Sequence, residues 1–150
     1  VDVEEIAQAI KDEYGADYAP SLDYDETHMV ERLGIDPTWV EAFFGQGPLM
    51  MLSSDELIII KATEGNVEKV LTAMQEYHRF LKEESFQYPM NLPRVQNARL
   101  VSEGNYVAFI LVGKHFQYPT DGTEFDEQEV IDFVRTEFQR GVDVFESFFK

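Results

Sequence analysis

Any chemistry in this chain of 150 residues would have to come from histidines, carboxylates and tyrosines, because it contains no cysteine. That absence removes thiol catalysis, disulfide frameworks and cysteine-based zinc sites together. The three histidines, His28, His78 and His115, stand far apart, and none falls in an HxH or HExxH pattern. His78 sits inside an apolar helical stripe and reads as a core or boundary histidine. The segment Asp121-Gly122-Thr123-Glu124-Phe125-Asp126-Glu127 faintly suggests a calcium loop but lacks the alternating acidic ligands. Asp23 and Asp25, flanking Tyr24, read as solvated. Glycine-rich phosphate loops and a GxSxG elbow are both missing. With 29 acidic residues, no single pair is marked out for acid–base work. No catalytic residue, metal ligand or cofactor is therefore assigned.

One pattern does stand out. The tetrapeptide Phe-Gln-Tyr-Pro occurs at Phe86–Pro89 and again at Phe116–Pro119. Proline holds the residue before it in an extended conformation, so each tyrosine has a set direction. No longer repeat accompanies the pair, which argues against duplication of a whole unit. Acidic residues are absent between Glu84 and Glu103 and between Glu103 and Asp121, while Arg94, Arg99 and Lys114 are present. These observations predict a locally basic rim made by Tyr88, Tyr118, Gln87, Gln117, Arg94, Arg99 and Lys114. Asp55 and Glu56 should point to the same end and oppose that charge. Aromatic faces with a few cations would suit a glycan, a peptide or a carboxylated ligand. The two tyrosines should lie within ~15 Å and be partly exposed.

The elements that would position this rim can be read from hydrophobic periodicity. Val3, Ile6, Ala7, Ile10 and Tyr14 share one helical face, with Asp2 and Glu5 in the form of a capping box and Gly15 as a stop. Residues 15–25 form a turn-rich connection, and a short helix is expected over 26–33. Asp36-Pro37 starts another short helix through Trp39, Val40 and Phe43. Strands are expected at Leu49–Leu52 and Leu57–Ala62, then a long helix with the stripe Val67, Val70, Leu71, Met74, Tyr77, His78 and Leu81. A hairpin at Glu103-Gly104-Asn105 joins strands at Ala98–Ser102 and Tyr106–Val112. Asp126 and Glu129 open a last helix, in whose apolar stripe Gly141 implies a close helix contact. The sum is an α+β fold: a ββαββ unit with an antiparallel-rich sheet and helices added at both termini. We divide it into a helical lead-in over 1–45, the sheet unit over 46–113, and a linker with the C-terminal helix over 114–150.

Composition narrows the class further. With 44% hydrophobic residues the chain can build a core without metal or disulfide, and no apolar run approaches a membrane span. The net charge of −17 repels phosphate backbones, so nucleic acid is not expected as a partner. That charge is uneven: twelve acids against two bases in 1–45, eight against seven in 46–120, and nine against three in 121–150. The flanking helices thus carry solvated acidic faces around a nearly neutral middle.

The runs ELIIIKATEGNVEKV, QYPMNLPRVQNARLV and GNYVAFILVG resemble a family of unknown function found in exported lipoproteins of Gram-positive gut bacteria. The lead-in IAQAIKDEYGADYAP and the segment GIDPTWVEAFFGQGPLMM are similar too, so the resemblance spans residues 3–113. Its most specific signals are Lys61-Ala62-x-x-Gly65, Gln87-Tyr88-Pro89 and Gly104-x-Tyr106-Val107. The resemblance implies a lipid-modified cysteine upstream of Val1 and a place on the outer face of the cytoplasmic membrane. Contact with the membrane would then be through that anchor alone. No activity and no functional residues come with the family. The leading reading is a non-catalytic cell-envelope module that binds an extracellular protein, peptide or glycan. Its rivals are a small carboxylate-dependent hydrolase or transferase with a cleft between sheet and helices, and a structural accessory domain.

Overall fold

A computed structural model describes residues 1–50 and 53–150. Helix α1 (Val3–Tyr14) begins where the Asp2 carboxylate accepts from the Glu4 N–H at 2.9 Å, and it buries the expected apolar face. The sheet contains β1 (Leu22–Asp23), β2 (Val40–Gly47), β3 (Glu56–Ala62), β4 (Arg99–Glu103) and β5 (Tyr106–Leu111). Its order is β1-β2-β3-β5-β4, with every neighbouring pair antiparallel. Helix α2 (Val67–Glu83) links β3 to the short α3 (Leu92–Gln96) and so to β4, and α4 (Glu127–Ser147) follows β5. The fold is α+β: a ββαββ unit with helices at both ends.

The near-continuous apolar runs occupy the two central strands. Every residue of β5 is buried, and in β3 only Lys61 is not. Alternation sends Ile58, Ile60, Val107 and Phe109 toward α2, while Leu57, Ile59, Ala108 and Ile110 face α1. Helix α4 serves both layers. Val130, Val134 and Phe138 pack on the α2 side, and Val142 and Phe145 on the α1 side. Where α1 meets α4, the Tyr14 hydroxyl accepts from the Gly141 N–H at 2.8 Å and donates to the Glu137 carbonyl at 2.7 Å. A Cβ at Gly141 would stand 2.9 Å from that hydroxyl and 3.1 Å from Ile110 Cγ2. Glycine is required there by the close approach.

Two local expectations are corrected. The helix expected from Asp36 through Phe43 is one turn only, Pro37–Trp39, capped by Asp36 accepting from Thr38 N–H at 2.9 Å. From Val40 the chain is strand, because pairing with β3 along Phe43↔Ile60 and Phe44↔Ile59 outweighs the local helix signal. Gly45 and Gly47 lie inside that strand. The Tyr24 ring covers them so closely that a Cβ on Gly47 would fall 1.7 Å from its hydroxyl. Of the strand expected at Leu49–Leu52, Leu49 and Met50 are exposed and outside any strand, and Met51 and Leu52 lie outside the described residues. The short helix expected over 26–33 is present as a wide π-helical turn at His28–Arg32, in which the Leu33 N–H reaches the His28 carbonyl.

Candidate functional site

Antiparallel pairing gathers the start of β3, the end of β5 and the start of β4 at one end of the sheet. That end holds both FQYP segments. The Tyr88 ring packs edge-on against Phe86 with centroids 5.1 Å apart, and its carbonyl accepts from the Asn91 N–H at 2.8 Å. The Tyr118 ring sits against Phe116 and Phe125, each 5.0 Å away. Both tyrosines are half-buried. Gln87 donates to Ser85 Oγ at 3.0 Å, and Gln117 to the His115 carbonyl at 3.3 Å, so both amides serve their own loops.

Between the segments lies a cavity of about 460 Å³. Pro89 of the first FQYP and Tyr118 of the second both line it, together with Met90, Phe125, Val130 and Ile131. Its polar lining comes from Gln96 and Glu127. A volume of this order holds a small molecule or one large side chain.

The expected basic rim is not what the cations build. Arg94 is 2% exposed, and its Nη2 lies 2.9 Å from both carboxylate oxygens of the fully buried Asp55. Its other contacts are the Lys114 and Gly113 carbonyls at 3.3 and 3.4 Å, and the Phe138 ring 5.3 Å away. The physical reason is that Asp55, fully buried just before β3, needs a counter-charge, which α3 supplies. His115, 43% exposed, adds Nε2 to the same Asp55 oxygen at 3.2 Å. Arg99 donates to Gln139 at 2.7 Å across the edge of the sheet. Lys114 alone of the three predicted cations is fully solvent-facing.

A second polar centre was not among the sequence expectations. Glu56, adjacent to Asp55, is buried on the other face, with Tyr77 donating to Oε1 at 2.6 Å and Tyr24 donating to Oε2. The Arg32 Nε donates to the Tyr77 hydroxyl at 3.2 Å, and His28 stacks on Tyr24 at 4.7 Å. Burial raises the Glu56 pKa above the ordinary glutamate value, although the two tyrosine donors and the nearby Arg32 pull it back. Burial, reinforced by the Glu56 charge, likewise raises both tyrosines. Arg32 and Tyr77 reach the wall of a larger cleft, about 980 Å³, between the wide turn and α2, where Trp39, Lys69 and Phe80 also lie. Two acids at the mouth of an otherwise apolar strand were the signal that could have revealed these pairs.

Both Glu56 oxygens already accept hydroxyl protons inside the protein, so this carboxylate offers no free base to a substrate. His78, half-buried, places Nε2 2.7 Å from the Val95 carbonyl, and burial lowers its pKa. Among the described residues, no group of three or more His, Asp or Glu side chains is placed to hold a metal ion. No helix among them is long and apolar enough to cross a membrane.

Comparison with protein-family models returns the domain of unknown function DUF4358 over residues 14–112. Neither the curated proteins nor the solved structures give a match. The matched region runs from the end of α1 to the end of β5, taking in the whole sheet, the Asp55–Arg94 pair, Glu56 with its tyrosines and the first FQYP segment. The chain belongs to the DUF4358 family of domains of unknown function.

Proposed function

We propose that this domain is a non-catalytic binding module whose ligand enters the cavity between the two FQYP segments. One observation carries the reading: Pro89 and Tyr118, from repeats almost thirty residues apart in sequence, line one apolar cavity. Apolar walls with a few fixed polar groups are the usual make-up of a small-ligand site. The surrounding end is also the apolar end, since Leu49, Met50, Phe86, Met90 and Phe125 are all exposed on loops there. Exposed apolar side chains gathered in this way mark contact surfaces. Placement on the outer face of the cytoplasmic membrane, held by a lipid anchor, is part of the proposal and rests on the sequence resemblance alone. Its partners would then be extracellular: a protein, a peptide or a glycan.

Saturation-transfer NMR with 1-hexanol tests the site. Transfer to the probe should be clear for the native protein and lost in Ile131→Trp, which fills the cavity from the α4 wall. Equal transfer in both proteins would overturn the assignment. Tyr118→Ala serves as a second variant should Ile131→Trp fail to fold.

A further inference from the structure

The cavity's walls carry a sign of charge opposite to the one the sequence suggested. Neither lysine nor arginine lines it, and its one carboxylate is that of Glu127. Glu127 is exposed at the first position of α4, and its side chain takes part in no ion pair or hydrogen bond among the described residues. The chain around it, from Asp121 to Glu129, holds five carboxylates and no base. Arg94, expected in the sequence as part of a basic rim, is already matched by Asp55. Beside Glu127 stand the rings of Tyr118 and Phe125, 5.0 Å apart and inclined at 74°. The negative face of an aromatic ring that lines a cavity attracts a cation, and a carboxylate lining the same cavity adds to that attraction.

We infer that the cavity takes an alkylammonium group on an apolar stem. The stem lies along Met90, Val130 and Ile131, and the cation sits between the Tyr118–Phe125 corner and Glu127. This deepens the reading of the cavity as the binding site and rests on it. The net charge of −17 favours approach of such a cation at low ionic strength. A carboxylated ligand, which an exposed Arg94 would have welcomed, meets only like charge here. Two sources share this chemistry: a free amphiphilic amine, and a lysine side chain of a peptide.

Calorimetric titration with n-hexylammonium, n-hexyltrimethylammonium, 1-hexanol and hexanoate at low salt separates the possibilities. Both cations should bind about tenfold tighter than 1-hexanol, and hexanoate more weakly than either. Glu127→Gln should remove most of the advantage of the cations over 1-hexanol. Phe125→Leu should weaken n-hexyltrimethylammonium by about fivefold. Nα-acetyl-lysine methylamide binding as tightly as n-hexylammonium identifies a peptide side chain; its failure beside bound hexylammonium identifies a free amine; both results support the inference. If 1-hexanol or hexanoate binds as well as the cations, the alkylammonium inference is wrong and the cavity reading survives. If none of the four binds, both fall.

Discussion

The cleft beside α2, at about 980 Å³, is more than twice the volume of the FQYP cavity, yet many of its polar groups are already engaged. Arg32 is bound to Tyr77, Tyr77 to Glu56, Glu76 to Arg79, and Lys69 lies over the Trp39 ring at 5.9 Å. The smaller cavity joins apolar walls to a single carboxylate, Glu127, with no cation beside it. Volume alone therefore does not mark a site. A carboxylate with no cation among the apolar and aromatic walls around it does, because a ligand can supply the missing charge.

The comparison rests on Arg94 being withdrawn from solvent to neutralise Asp55, and breaking that pair should have the largest effect. Arg94→Met leaves a buried, uncompensated carboxylate and should cost about 3–5 kcal/mol in urea unfolding. A loss below about 1 kcal/mol would mean that the pair does not anchor this end. Gly141→Ala should follow at about 1–3 kcal/mol, since its Cβ would drive into the Tyr14 hydroxyl. A neutral result would show that α1 and α4 can separate freely.

Glu56→Gln sharpens the contrast through pH. The folded pKa of Glu56 is raised, so between the ordinary glutamate range and that raised value the folded state binds the extra proton. Stability from this group is full below the ordinary range and declines as pH climbs through the folded value. The variant lacks that decline. Its deficit against the native protein, about 1–3 kcal/mol near pH 5 from a lost tyrosine acceptor, should shrink toward pH 8. A deficit that grows with pH would contradict the sign. Arg79→Ala sits at the far end of the scale. Its partners Glu76, Glu83 and Glu84 are all exposed, and the melting temperature should not change measurably.

Much of this fold is legible in the sequence because period and composition agree. The LIII run of β3, the stripe of α2 and the Gly104 hairpin all specify their elements locally. β2 is different. Asp36-Pro37 does start a helical turn, but the strand after it exists through pairing with β3, and its glycines clear space for Tyr24, a residue about twenty positions earlier. Neither cause is local. The site divides in the same way. The repeated FQYP points to the right end of the molecule, and topology explains why the two copies meet. The direction of Arg94 depends on Asp55, 39 residues away, so its charge reads from the sequence as rim and lies in the structure as core.

The most direct measurement is one methyl-resolved NMR titration with n-hexylammonium, following both cavities in a single spectrum. Met90, Val130 and Ile131 report the FQYP cavity, and Leu33 and Ala73 report the cleft. Saturable shifts are expected at Met90, Val130 and Ile131, with Leu33 and Ala73 unmoved. Shifts at Leu33 and Ala73 with a silent FQYP cavity would contradict that expectation.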